Sequence, residues 1–78
     1  MPLFLVAAGE TVIVQQTGGS TQIRQRLVDL GLTRGAELHM LKNDPASPLL
    51  IALNHDSRLA LDRRLAHHIL VSLPDTTA

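Results

Sequence analysis

The sequence predicts a mainly β domain, a sheet of about five short strands curled on itself, with one short amphipathic helix after the first strand and a helical turn before the last. Three observations carry this. Short aliphatic and β-branched runs recur between clusters of Gly, Pro, Asn, Asp and Ser, the pattern of strands separated by turns. Between Ser20 and Gly31 the apolar residues Ile23, Leu27 and Leu30 instead fall at spacings of four and three, which places them on one helical face. The chain has 78 residues and no cysteine, so aliphatic packing must hold a thin core together without disulfide or thiolate-metal staples.

Each element follows in order. Pro2 to Ala8 opens the chain and ends at Gly9, and Thr11-Val12-Ile13-Val14 is a β-branched block suited to a pleated, half-buried strand. Thr17-Gly18-Gly19-Ser20 stops it, because two glycines permit positive φ and Ser20 or Thr21 can accept from the free amides of a first helical turn. The helix ends where Gly31 supplies a left-handed cap, and Gly35 closes the turn into the next strand. That strand runs from Ala36 to Lys42, alternating Leu38 and Met40 with Glu37 and His39. Two prolines and an Asn-Asp pair make residues 43–48 a loop. Leu49–Leu53 and Arg58–Leu61 read as a hairpin across Asn54-His55-Asp56-Ser57. Asp62 is placed to cap a helical turn through Leu65 and Ala66, and Ile69–Leu73 is the last strand. So few residues favour closing the sheet, which removes exposed edges, over building a flat sandwich. The prediction is a small SH3-like barrel over residues 1–73 as a single domain, with 74–78 a disordered C-terminal tail.

Composition narrows the function. Lys42 and the arginines balance the carboxylates to a formal net charge of zero, and Phe4 is the sole aromatic. A nucleic-acid backbone finds no strong long-range attraction and no stacking platform, so no nucleic-acid partner is expected. Arg24, Arg26, Arg34 and the Arg63-Arg64 pair are read as ordinary surface charges rather than as an RNA patch. Leu3–Ala8 is too short to span a bilayer and follows no basic residue, and the chain is expected to be cytoplasmic. No nucleophile motif or phosphate loop is framed, so no enzyme is expected. The histidines also lack chelating spacing: His67 and His68 are adjacent, which sends them apart on a helix or a strand, and no His-x-x-x-His or Glu-x-x-His occurs. His67 and His68 are at most adventitious metal ligands, and no cofactor is expected.

The run Arg26-Leu27-Val28-Asp29-Leu30-Gly31-Leu32-Thr33-Arg34-Gly35 resembles the Arg-Leu-x-x-x-Gly-Leu-x-x-Gly signature of the FeoA family. Leu3, Val6 and Gly9 resemble its opening, and Ala60-Leu61 with Ala66, Ile69 and Val71 resemble its closing strand, turn and strand. The resemblance spans residues 3–71. It implies an SH3-like barrel and a non-enzymatic accessory role in bacterial ferrous iron uptake, acting with the FeoB permease, whose cytosolic part carries a GTP-binding domain. Any membrane contact would then be indirect, through the permease. Asp62 stands where the family commonly has Arg, which bears on a partner contact there rather than on the fold. A free-standing metal-binding regulator or carrier is the alternative, and a small RNA-binding barrel the third.

Several strands carry more aliphatic residues than one small interior can take, as with Leu50 beside Ile51 and Leu70 beside Val71. Some must face outward, which leaves homo-oligomerisation open. Arg26, Leu32, Thr33 and Arg34, at the helix-to-strand turn, form the expected partner-binding tip, an apolar centre with a cationic rim. Leu32 has a second reading, as a hydrophobic contact folded back on the helix end.

Overall fold

The computed structural model describes residues 1–74. Five strands form one antiparallel sheet: β1 (Thr11–Thr17), β2 (Glu37–Lys42), β3 (Leu49–Leu53), β4 (Ser57–Leu61) and β5 (Ile69–Ser72), in the order β4-β3-β2-β1-β5. Helix α1 (Thr21–Asp29) follows β1, and the short α2 (Arg63–Ala66) precedes β5. All five strands, both helical segments and the hairpin fall where the sequence places them. The second strand begins one residue later than expected, and the last ends one residue earlier. Of the tail expected over 74–78, residues 75–78 lie outside the described residues.

The sheet differs from expectation in one respect: it is not closed. β4 and β5 lie at opposite ends and do not pair with each other. Register shifts between Val14 and Gln16 and between Met40 and Lys42 bend β1 and β2, because a bulge adds local twist and curl. Curl alone brings such short strands round the core without joining the last ladder. The β5 edge is covered differently, by Met1 and Pro2. The Val71 amide donates to the Met1 carbonyl at 2.7 Å, and Pro2 bridges Leu70. "Barrel" is therefore a loose description of a curled open sheet.

Helical pieces plug the concave side. Residues Leu3–Leu5, assigned no element from sequence, form a 3₁₀ turn. Side chains three apart eclipse in that geometry, so Leu3 and Val6 both enter the core at 0% exposure while Leu5 stays 61% exposed. In α1 the Ser20 hydroxyl accepts from the Ile23 amide at 3.2 Å, Leu27 is fully buried, and Ile23 and Leu30 pack against the core's margin. Val12, Leu38, Ile51 and Ile69 of the sheet belong to the same buried cluster as Leu27. Among the described residues no polar or charged side chain is fully buried, so the interior is purely aliphatic and depends on shape for its stability.

The β3–β4 hairpin turns through Asn54 and His55, both left-handed at φ 49° and 70°. Asn54 suits this conformation, and its Oδ1 also accepts from the Glu37 amide at 3.0 Å. His55 is strained there and offsets little through the contact of its exposed imidazole with the Glu37 carboxylate. His55→Gly is therefore expected to raise stability by about 0.5 to 1 kcal/mol, read as a higher urea midpoint with unchanged slope.

Candidate functional site

The helix-to-strand turn is built by its backbone. The Gly31 amide donates to the Val28 carbonyl at 2.9 Å and the Leu32 amide to the Leu27 carbonyl at 2.8 Å, which together satisfy the last helical carbonyls in a Schellman arrangement. Gly31 sits at φ +88°, which calls for glycine, and a Cβ there would lie 2.9 Å from Leu53 Cδ2 and push that side chain aside. This geometry decides between the two readings of Leu32. The residue after the left-handed glycine turns back onto the helix, and Leu32 is 0% exposed, in the same core as Leu27. The expectation of Leu32 as the apolar centre of a docking tip is thus corrected. Arg26, Thr33 and Arg34 remain exposed, and neither arginine enters an ion pair among the described residues. The turn is held firmly beneath them: the Gly35 amide donates to the Val14 carbonyl and the Val14 amide to the Ala36 carbonyl, at 2.8 and 2.9 Å.

The arginine pair before the last strand divides. Arg64 is exposed, but Arg63 is half-buried. Its Nε donates to the Ser47 carbonyl at 2.8 Å, and its Nη2 donates to Asn43 Oδ1 at 2.7 Å and to the Asp44 carbonyl. Asn43 in turn donates through Nδ2 to the carbonyls of Phe4 and Val6, at 3.0 and 2.7 Å. The reading of Arg63 as an ordinary surface charge is corrected: its guanidinium pins the 43–48 loop. Asp62 caps α2 through Oδ1, which accepts from the Arg64 amide at 2.8 Å.

The histidines lie apart. The His39 imidazole bonds the Thr11 hydroxyl at 2.8 Å, and His67 stacks on Phe4 with ring centroids 4.1 Å apart. His68 packs against Gly19, where an added Cβ would lie 3.0 Å from its Nδ1, and its carbonyl accepts from the Gly18 amide at 2.8 Å. His55 pairs with Glu37 at the hairpin tip. Among the described residues, no three His, Asp or Glu side chains converge as a metal site needs.

Sequence reasoning left unassigned which aliphatic residues face out. Strand register supplies the answer. His39, Ala52 and Arg58 form one row across β2, β3 and β4, and Lys42, Leu50 and Ala60 another. Leu41 and Leu50 are half-buried but stand apart from the core cluster, and Leu70 is 41% exposed. The convex face of the sheet therefore carries Leu50 in the row of Lys42 and Ala60, with Leu41 at the neighbouring bulge, while Leu70 lies towards the opposite end, beside Gln16. Among the described residues, no helix is long and apolar enough to cross a membrane.

The chain is similar to a candidate Fe(2+) transport protein A of Methanocaldococcus jannaschii, at 34% identity over 90% of this chain and 83% of that protein. Its structure is similar to the crystal structure of an iron uptake regulatory protein, FeoA, with a TM-score of 0.84 and 34% identity over 91% of this chain and 93% of that one. It is also similar to Stenotrophomonas maltophilia FeoA complexed with zinc, described as a procaryotic SH3 domain protein, with a TM-score of 0.77 and 26% identity over 92% and 89% of the two chains. The model of the FeoA domain matches residues 1–73. With that match and a relative of this identity spanning most of both chains, the protein belongs to the FeoA domain family, with an SH3-like fold.

Proposed function

We propose that this chain is a non-catalytic, cytoplasmic accessory protein of ferrous iron uptake that docks on the GTP-binding cytosolic part of a FeoB-type permease and modulates its assembly or activity. The observation that carries this reading is the FeoA match over residues 1–73, joined to the Fe(2+) transport assignment of the M. jannaschii relative. Side chains that would otherwise suggest chemistry have structural employment: Asp62 caps, Arg63 clamps and His67 stacks. The docking tip reduces to Arg26, Thr33 and Arg34, a cationic edge on a rigid turn, which suits a partner with an acidic margin.

Titration into the permease's cytosolic domain, and into the full permease in detergent, tests this. Arg26→Glu with Arg34→Glu is expected to weaken binding by about tenfold or more through two charge reversals, with an unchanged urea midpoint because neither residue packs in the core. Absence of binding and of any change in GTP hydrolysis, in every nucleotide state, would sink the proposal. The second reading, a metal-binding regulator or carrier, draws support from the zinc complex of the S. maltophilia protein. One-site Fe(II) binding in anaerobic calorimetry, abolished by His67→Ala or His68→Ala, would favour it over the docking role.

A further inference from the structure

We propose that the outer edge of β4 is a self-association surface, on which a second copy of this chain adds its own β4, antiparallel, about a two-fold axis through Ala60. This surface is separate from the Arg26–Arg34 tip and does not depend on the permease.

The two sheet edges are treated differently. The β5 edge is covered by Met1 and Pro2, whereas β4 pairs with β3 alone among the described residues. Exposed edges in soluble proteins are usually blunted by proline, a bulge, a covering segment, short length or a charged side chain, and of these β4 has its five-residue length and Arg58. Ser57–Leu61 contains no proline, and its ladder with β3 runs through five consecutive pairs without a register shift. It is a regular template for another strand.

Charge identifies the occupant and the register. An antiparallel copy centred on Ala60 sets Ala60 opposite its own counterpart and Arg58 opposite the second copy's Asp62, an arrangement that symmetry repeats. Both side chains are exposed, and Asp62 directly follows the last residue of β4, at φ −57°, ψ 133°. Its Oδ1 serves the helix cap, which leaves Oδ2 for the guanidinium. Neighbouring registers are worse. Centring on Leu59 would set Asp62 against Asp56, and centring on Leu61 would set Arg58 against Arg64, both like-charge pairs that oppose strand pairing. The Ala60 register also sets Leu59, a half-buried margin of the core, opposite the second copy's Leu61. At the axis itself the small Ala60 side chain lets the backbones approach.

The sequence has no cysteine, so single-cysteine crosslinking reads the register directly. Residues opposed in an antiparallel pair have Cα atoms about 4.5 to 5.5 Å apart, within the disulfide range of about 4.4 to 6.8 Å. Ala60→Cys is expected to form a disulfide dimer under mild oxidation about tenfold or more faster than Val28→Cys, which is exposed on α1. Adding Arg58→Glu should slow that crosslinking by roughly threefold to tenfold, since a carboxylate would then face Asp62 twice. Sedimentation equilibrium of the unmodified chain should show concentration-dependent dimers, weakened by salt. Equal crosslinking at the two positions, faster crosslinking at Val28, indifference to Arg58→Glu, or a monomer at millimolar concentration would each overturn the proposal.

Discussion

Leu27→Ala is expected to lower the unfolding free energy by about 2 to 5 kcal/mol. The side chain is fully buried and is the one residue of α1 wholly inside the core. Its truncation removes transfer free energy and leaves a cavity that the surrounding sheet can only partly collapse. A single core in a domain below about 70 to 80 residues rarely supplies more than about 3 to 5 kcal/mol, so the variant should lie at the margin of folding. A urea melt checks this: with a slope near the low end, about 1 kcal/mol per molar, the midpoint should fall by about 2 M or more. An unchanged midpoint would mean that α1 contributes little to the core it covers.

Arg63→Ala is expected to cost about 2 kcal/mol, more than a surface arginine usually does. The substitution leaves Asn43 Oδ1 and the carbonyls of Asp44 and Ser47, all on half-buried residues, without their shared charged donor. Arg63→Lys should recover only part of the loss, because an ammonium cannot reproduce the planar fork that reaches three acceptors at once. Proteolysis should report the same event locally, with cleavage within 43–48 rising before global unfolding. A wild-type cleavage pattern in Arg63→Ala would place the loop's order elsewhere.

What the sequence made legible was whatever short-range chemistry decides. The β-branched run at Thr11–Val14, the spacing of Ile23, Leu27 and Leu30, the caps at Ser20 and Asp62 and the prolines of the 43–48 loop each act on nearby backbone, and each element stands where expected. Leu32 was decidable as well, since a glycine at the left-handed cap position calls for an apolar residue next to turn back onto the helix. Its flanking arginines obscured that. Arg63 was not decidable, because its acceptors lie 16 to 20 residues away in a loop whose shape no local rule specifies. Sheet closure failed for a similar reason: whether β4 meets β5 depends on accumulated curl from two bulges, and neither Gln15 nor Leu41 announces one. The outward aliphatic residues were foreseen as a surplus, but only register assigned them to Leu41, Leu50 and Leu70.

Asn43 has a consequence for how the molecule opens. Its amide joins the segment containing Phe4 and Val6, 39 and 37 residues away, to Arg63, 20 residues away. A proline-flanked loop would ordinarily be the first part of a small domain to breathe, exposing its amides to solvent hydrogen exchange independently of everything else. Here the loop is bonded to both the first turn and α2, so it cannot swing out without stranding donors or acceptors in each, and neither of them can leave without stranding groups in the loop. The three segments should exchange as one cooperative unit, and that unit adjoins the edge where a second strand could dock, since Ala60 and Asp62 line the same groove as the loop and Arg63.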